Sequence, residues 1–245
     1  FDLKGADGRL IRGDVAEGAG RHVLFITGFL SRRWGSKSKA VARWCAEQEW
    51  GFCCYDVRGF GDSEGTFAEY SLSDWLDDAR LVISMLKQEP PLTIVGNSLG
   101  GWIAWLMAQE FDRIDRLILI APAFNMMGVR ANDISEQRRR EWMKSGSMPW
   151  DDDPLHKNWP LSWKWVEESE ALWKTTFDRL RPVRTSIVHR LQDTAIDPGV
   201  SRQVLEQLRL NAPSFPIDLQ LVRGDHRLSE PEHLDRLHRL VVEQR

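Results

Sequence analysis

The chain has 245 residues, of which 42% are hydrophobic and 28% charged, with a formal net charge of −3. That length suits a single α/β domain with a sizeable core. The slight acidic balance argues against nucleic acid or an anionic membrane as main partner, and no apolar run approaches membrane-spanning length.

In chain order, Leu10 to Val15 alternates weakly and predicts an antiparallel edge strand. His22 to Thr27 is a continuous apolar run, as expected of a strand buried on both faces. It ends at Thr27-Gly28-Phe29, a glycine turn. Ser36 to Glu49 carries Ala40, Val41, Trp44 and Cys45 at helical spacing. Phe52 to Tyr55 is the next buried strand. The three cysteines, Cys45, Cys53 and Cys54, show no metal-type spacing and read as buried free thiols in a reducing compartment. The loop Asp56 to Gly65 is glycine-spaced, but it is too long and lacks the lysine for a phosphate cradle. Asp62 and Glu64 on it read as solvated or turn residues. Ser73 to Lys87 predicts an amphipathic helix with Trp75, Leu76, Ala79, Val82, Ile83 and Leu86 inward.

Leu92 to Met107 organises the rest. Leu92-Thr93-Ile94-Val95 has the length and β-branching of a buried strand. It runs into Gly96-Asn97-Ser98-Leu99-Gly100, and an apolar helical run, Trp102 to Ala108, follows at once. Strand, tight turn, serine and helix make G-x-S-x-G a nucleophile elbow. Small residues must flank the serine at two positions' distance where strand meets helix. The helix head then presents free N–H groups to developing negative charge.

Arg116 to Ala121 is another buried strand. From Phe124 to Arg181 the composition shifts to tryptophan, methionine and dense charge, without a strand signal. Two or three short helices are predicted there, as a cap over the site spanning residues 125–181; residues 1–124 and 182–245 form the core. Arg138-Arg139-Arg140 and Asp151-Asp152-Asp153 read as solvated faces or helix-end charges. Thr185 to His189 resumes the sheet, and a loop to Asp197 and a helix from Pro198 follow. Ile217 to Val222 is the last strand. Gly224 to Arg227 is a turn, and Ser229-Glu230-Pro231-Glu232 reads as a capping box opening the terminal helix. Alternating strands and helices predict a mainly parallel sheet with helices on both faces and ligands at the carboxyl ends of the strands.

A serine needs a base, and the base needs an orienting acid. Two aspartates compete. Asp197 precedes Pro198 and suits helix capping, which leaves Asp193. Of the histidines, His22 opens a strand and His189 ends one, while His233 and His238 fall on the terminal helix. His226 lies on the loop after the last strand. Asp225 beside it reads as a turn residue.

Ser98, Asp193 and His226 resemble the triad of the α/β-hydrolases in order and context. Asp56-x-Arg58-Gly59-x-Gly61-x-Ser63 resembles an architectural loop of the same fold. The segments Phe29-Leu30-Ser31, Gly35-Ser36-Lys37, Gly96 to Trp102 and Asp225 to Leu228 are similar to one branch. That branch holds the mammalian mitochondrial palmitoyl-protein thioesterase and acyl-glucuronide esterase, and bacterial hydrolases. Two departures are visible: Thr27 stands where a histidine is common, and Arg190 where a glycine is usual. The resemblance implies an α/β-hydrolase fold, mainly parallel with a helical cap, and an oxyanion hole from the backbone N–H groups of Phe29 and Leu99. It implies a serine hydrolase of carboxylic esters or thioesters with medium-chain or aromatic acyl groups.

The candidate substrate contacts are Phe29, Leu30, Trp102, Met126 and Met127. Arg32 and Arg33, beyond the oxyanion loop, are candidates to admit an anionic leaving group. No metal or organic cofactor is expected, and the partner is a small acyl ester or thioester. A cytoplasmic setting is expected, or an organelle matrix if a segment preceded Phe1, which is not an initiator methionine. The rivals are a lipase or amidase of the same fold, and a non-catalytic ligand receptor built on it.

Overall fold

The computed structural model describes residues 1–149, 159–224 and 228–243. The continuous apolar runs form its centre. β3 (His22–Ile26), β4 (Gly51–Tyr55), β5 (Leu92–Asn97), β6 (Ile114–Ile120) and β9 (Arg184–Arg190) are almost wholly buried. With β1 (Asp2–Lys4), β2 (Leu10–Ala16) and β10 (Ile217–Val222), they make an eight-stranded sheet of order β1-β2-β4-β3-β5-β6-β9-β10. From β4 to β10 every neighbour is parallel, whereas β1–β2 and β2–β4 are antiparallel.

Alternate residues of each central strand feed two apolar layers, as the two-residue period dictates. Leu24, Ile26, Ile94 and Leu117 pack with α2 (Leu72–Met85) and α3 (Leu99–Glu110). Val23, Phe25, Val95 and Ile118 pack with Val41 and Trp44 of α1 (Ser36–Glu47) and Leu237 and Val241 of α8 (Pro231–Val242). The cysteines sit in these layers, and burial pushes the Cys45 and Cys54 thiols up to about 12.

Between β6 and β9 lie α4 (Met126–Asp133), α5 (Glu136–Ser145), the strands β7 (Ser147–Pro149) and β8 (Pro160–Ser162), and α6 (Lys164–Thr175). α6 is fastened to the core. Its buried Trp165 donates from Nε1 to the Tyr70 carbonyl at 3.0 Å, and Glu168 accepts from the Ser73 N–H at 3.0 Å. α7 (Gly199–Asn211) joins β9 to β10.

Four local expectations need correction. β2 is not the edge strand, because the three-residue β1 covers it; a strand that short gives no readable period. β7 and β8 form an antiparallel pair in a stretch that carries no strand signal. The terminal helix has Glu230 as N-cap and Pro231 at N1, with no side-chain capping bond. Ser229 turns its hydroxyl to Ser36 instead, at 3.1 Å. α7 begins one residue after Pro198, and Asp197 accepts the Gly199 N–H at 2.8 Å. The acidic run Asp151-Asp152-Asp153 lies outside the described residues.

Candidate active site

The elbow follows from close approach of backbones. A Cβ at Gly96 would lie 2.5 Å from the Gly100 carbonyl oxygen, and one at Gly100 would lie 2.3 Å from the carbonyl oxygens of Ile26 and Thr27. Both positions therefore require glycine. Between them Ser98 is held at φ 52° and ψ −120°, a conformation that costs a non-glycine residue on the order of 1–3 kcal/mol. The surroundings hold it there. Its N–H donates to the Ile120 carbonyl at 2.8 Å, and its carbonyl accepts from Gly101 at 2.9 Å and Ala123 at 3.0 Å. Ser98 is the N-cap of α3 but makes no side-chain capping bond. Leu99, first residue of α3, thus carries one of the N–H groups that a helix leaves without an internal partner.

The loop after β3 lies against this turn. A Cβ on Gly28 would meet Ser98 Cβ and Asn97 Nδ2, each at 3.0 Å. Leu30 is in the left-handed region at φ 52°. The Phe29 ring is fixed by edge contacts to Phe67 at 5.5 Å and Trp165 at 5.9 Å between centroids. A cavity of about 390 Å³ opens at Ser98, and its walls include Gly28, Phe29, Arg32, Lys37 and Ser229.

Asp193 lies on the turn after β9 and is buried, with Oδ1 accepting the N–H groups of Ala195 at 2.9 Å and Ile196 at 3.0 Å. Those bonds orient the carboxylate. Asp197 is exposed, and its Oδ1 is taken by the Gly199 N–H at the start of α7. His189 is 0% exposed, and both ring nitrogens are engaged. Nε2 faces the Ile196 carbonyl at 3.0 Å, which can only accept, so Nε2 carries a proton, and Nδ1 lies 2.8 Å from Ser201 Oγ. His189 Nε2 also lies 3.8 Å from Asp193 Oδ2, so this ring packs beside the candidate acid inside the protein. His233 packs against Gly224 and bonds the Arg223 carbonyl at 2.6 Å, and His238 stands edge-on to Trp44. His226 lies outside the described residues.

The expected substrate contacts divide. Phe29 is on the Ser98 cavity and Leu30 is not. Met126 lines a second cavity of about 280 Å³, shared with Asp193 and placed between α4 and the turn after β9. Trp102 and Met127 are each 0% exposed. They take no part in either wall, because the inward faces of α3 and α4 bury them. Arg33 is likewise removed from substrate. Its guanidinium meets Asp14 and Asp62, each at 2.7 Å, and also Asp56. Arg32 remains on the Ser98 cavity, with a side chain 70% exposed.

Sequence reasoning overlooked Ser229 as a wall residue because a serine before Glu-Pro-Glu reads as a helix cap. The Asp56-x-Arg58 loop is architectural, as expected. Buried Arg58 pairs with buried Asp78 at 2.6 Å, and Asp56 receives the Arg33 N–H at 2.6 Å. Among the described residues no group of His, Cys, Asp or Glu is arranged to hold a metal ion, and no helix is long and apolar enough to cross a membrane.

Comparison with known proteins agrees with this architecture. The mitochondrial palmitoyl-protein thioesterase ABHD10 of mouse is 26% identical over 215 residues, covering 85% of this chain and 69% of that protein. The solved mouse alpha/beta hydrolase domain-containing protein 10 superposes with a TM-score of 0.87 at 22% identity, over 100% of this chain and 97% of that one. Est1E of Butyrivibrio proteoclasticus, solved with ferulic acid bound, superposes at 0.78 with 20% identity, over 100% of this chain and 97% of that one. The profile of the hydrolase family described as serine aminopeptidase, S33, matches residues 21–150, more than half of the 245. The chain therefore has the α/β-hydrolase fold and belongs to the serine aminopeptidase S33 family of hydrolases.

Proposed function

We propose that the protein is a serine hydrolase of carboxylic esters or thioesters, with Ser98 as nucleophile, His226 as base and Asp193 as acid. The observation that carries this reading is the Ser98 turn: a strained serine at a helix head, open to a cavity and pressed against the Gly28–Phe29 loop. Ser98 Oγ attacks the acyl carbon while His226 takes its proton. The N–H groups of Leu99 and Phe29 stabilise the oxyanion, and His226 returns the proton to the leaving group. Water then releases the acid by the same route in reverse. Asp193 fixes the histidine tautomer and stabilises the imidazolium.

The division of the surroundings supports an orientation. The second cavity is walled partly by Phe124, Met126, Val129, Ile134 and Ile196, and it suits a medium-chain or aromatic acyl group. The Ser98 cavity carries Ser31, Arg32, Ser36 and Lys37 and suits a polar alcohol or thiol. Residues 125–181 act as the cap over these spaces. The thioesterase name of the mouse relative and the ferulic acid bound to Est1E support acyl substrates of this kind. The word mitochondrial in that relative's name favours an organelle matrix over the cytoplasm.

A fluorophosphonate probe tests the reading. Wild type should be labelled at Ser98, and Ser98→Ala should lose labelling and hydrolysis of p-nitrophenyl esters while keeping its thermal midpoint. An unlabelled, inactive wild type that still binds an acyl ester would favour the non-catalytic receptor.

A further inference from the structure

The amino ends of the strands, at the opposite edge of the sheet from Ser98, carry an arginine cluster that hydrolysis does not use. β5, β6 and β9 lie side by side there, with Thr93 opposite Arg116 and Arg116 opposite Arg184. Register neighbours lie about 4.8 Å apart and point to the same face. That face is the one covered by α1 and α8, since Arg116 shares the parity of Ile118. Arg21, just before β3, reaches the same place. Its Nη1 donates to Thr93 Oγ1 at 2.8 Å and to Asp115 Oδ1 at 2.6 Å.

Arg116 is the anomaly. It is 4% exposed, yet its Nε and Nη2 meet no acceptor among the described residues. A buried arginine normally has its donors paired. Burial and the charges of Arg184 and Arg21 hold its guanidinium below the usual range, against a weaker opposite pull from Asp115 and Asp218. Both carboxylates are already engaged. Asp115 meets Arg21, and Asp218 accepts from Ser186 Oγ at 2.7 Å and Gln220 Nε2 at 3.1 Å. Nε and Nη2 form the edge of the guanidinium that takes two oxygens of one anion side by side.

We infer that Arg116, flanked by Arg21 and Arg184, forms a binding site for a small oxyanion of the phosphate class. The bound anion accepts from Nε and Nη2 of Arg116 and relieves the repulsion among the three guanidinium groups. Two oxygens on one tetrahedral centre match the planar fork, which a spherical chloride cannot do. Occupancy stabilises the fold at the end of the sheet remote from the reaction.

Thermal unfolding of the 245-residue chain in phosphate, against chloride at matched ionic strength, tests this. Inorganic phosphate at about 10 mM should raise the midpoint saturably, by roughly 3–5 °C, and sulfate should substitute for it. Arg116→Met keeps the apolar stem and removes the donors. It should abolish the phosphate shift, yet unfold in chloride no earlier than wild type, because an unpaired buried charge is gone. Arg184→Gln, at an exposed position, should fold normally and show a smaller shift. The site is refuted if wild type moves no more in phosphate than in matched chloride, or if Arg116→Met keeps the full shift.

Discussion

Gly100→Ala separates the elbow's geometry from its chemistry, since it touches no reacting atom. The added Cβ would lie 2.3 Å from two backbone oxygens, Ile26 O and Thr27 O. An ordinary contact is about 1 Å longer, and neither oxygen can rotate away as a side-chain tip would. The head of α3 must therefore part from the end of β3 by roughly 1 Å. The first carries Ser98 and the Leu99 N–H; the second leads into Gly28 and Phe29. Overpacking of this kind costs about 1–3 kcal/mol, or roughly 3–10 °C in a chain of this size. A 1 Å misplacement of catalytic groups costs on the order of 10² in rate. The expected outcome is a folded protein with kcat down about 10²-fold and KM little changed, read on p-nitrophenyl butyrate after a circular-dichroism melt. Gly101→Ala provides the graded comparison. Its Cβ meets Pro122 Cβ at 2.9 Å, so its loss should be smaller. A folded Gly100→Ala protein with wild-type kcat would show that spacing between helix head and strand end does not set the rate.

The two aspartates should part in the same assay. Asp193→Asn should cost on the order of 10⁴ in kcat, while Asp197→Asn should cost little because asparagine caps comparably; the reverse ranking would move the acid to Asp197. Thiol reactivity should follow burial. With Cys45 and Cys54 pushed up to about 12 and Cys53 also raised, hardly any thiolate exists at pH 8, so native protein should resist a disulfide reagent. All three cysteines should react in urea, where the pKa values return to the ordinary range. Fast labelling of the native chain at pH 8 would contradict the packing of β4 and α1.

Much of the fold was legible because parallel strands buried on both faces must be apolar throughout. His22 to Ile26 and Leu92 to Val95 announce themselves in that way. The elbow was legible because steric exclusion leaves glycine as the residue that fits at positions 96 and 100. What escaped depends on partners far along the chain. Arg33 reads as a surface cation until β2 and the loop after β4 bring Asp14, Asp56 and Asp62 around it. Trp102 and Met127 look like pocket walls by composition, but helix rotation turns them inward. Arg116 opens an apolar run and reads as a strand boundary, and only the register of three strands places it beneath the surface beside Arg184. The β7–β8 pair is too short to show a period.

The docking of α6 bears on attempts to trim this protein. β6 and β9 are parallel neighbours, paired from Arg116–Arg184 to Ile120–Val188. The chain therefore leaves one end of the sheet at Ile120 and must re-enter at the other, a return of about 20 Å for strands of this length. Such a crossover needs a dozen or more residues, usually helical. α6 has twelve and already leans on Tyr70 and Ser73. It serves as the return leg of a β-α-β unit. A minimal enzyme could discard α5 and the β7–β8 ribbon, but deletion through α6 would leave β9 unable to take its place beside β6.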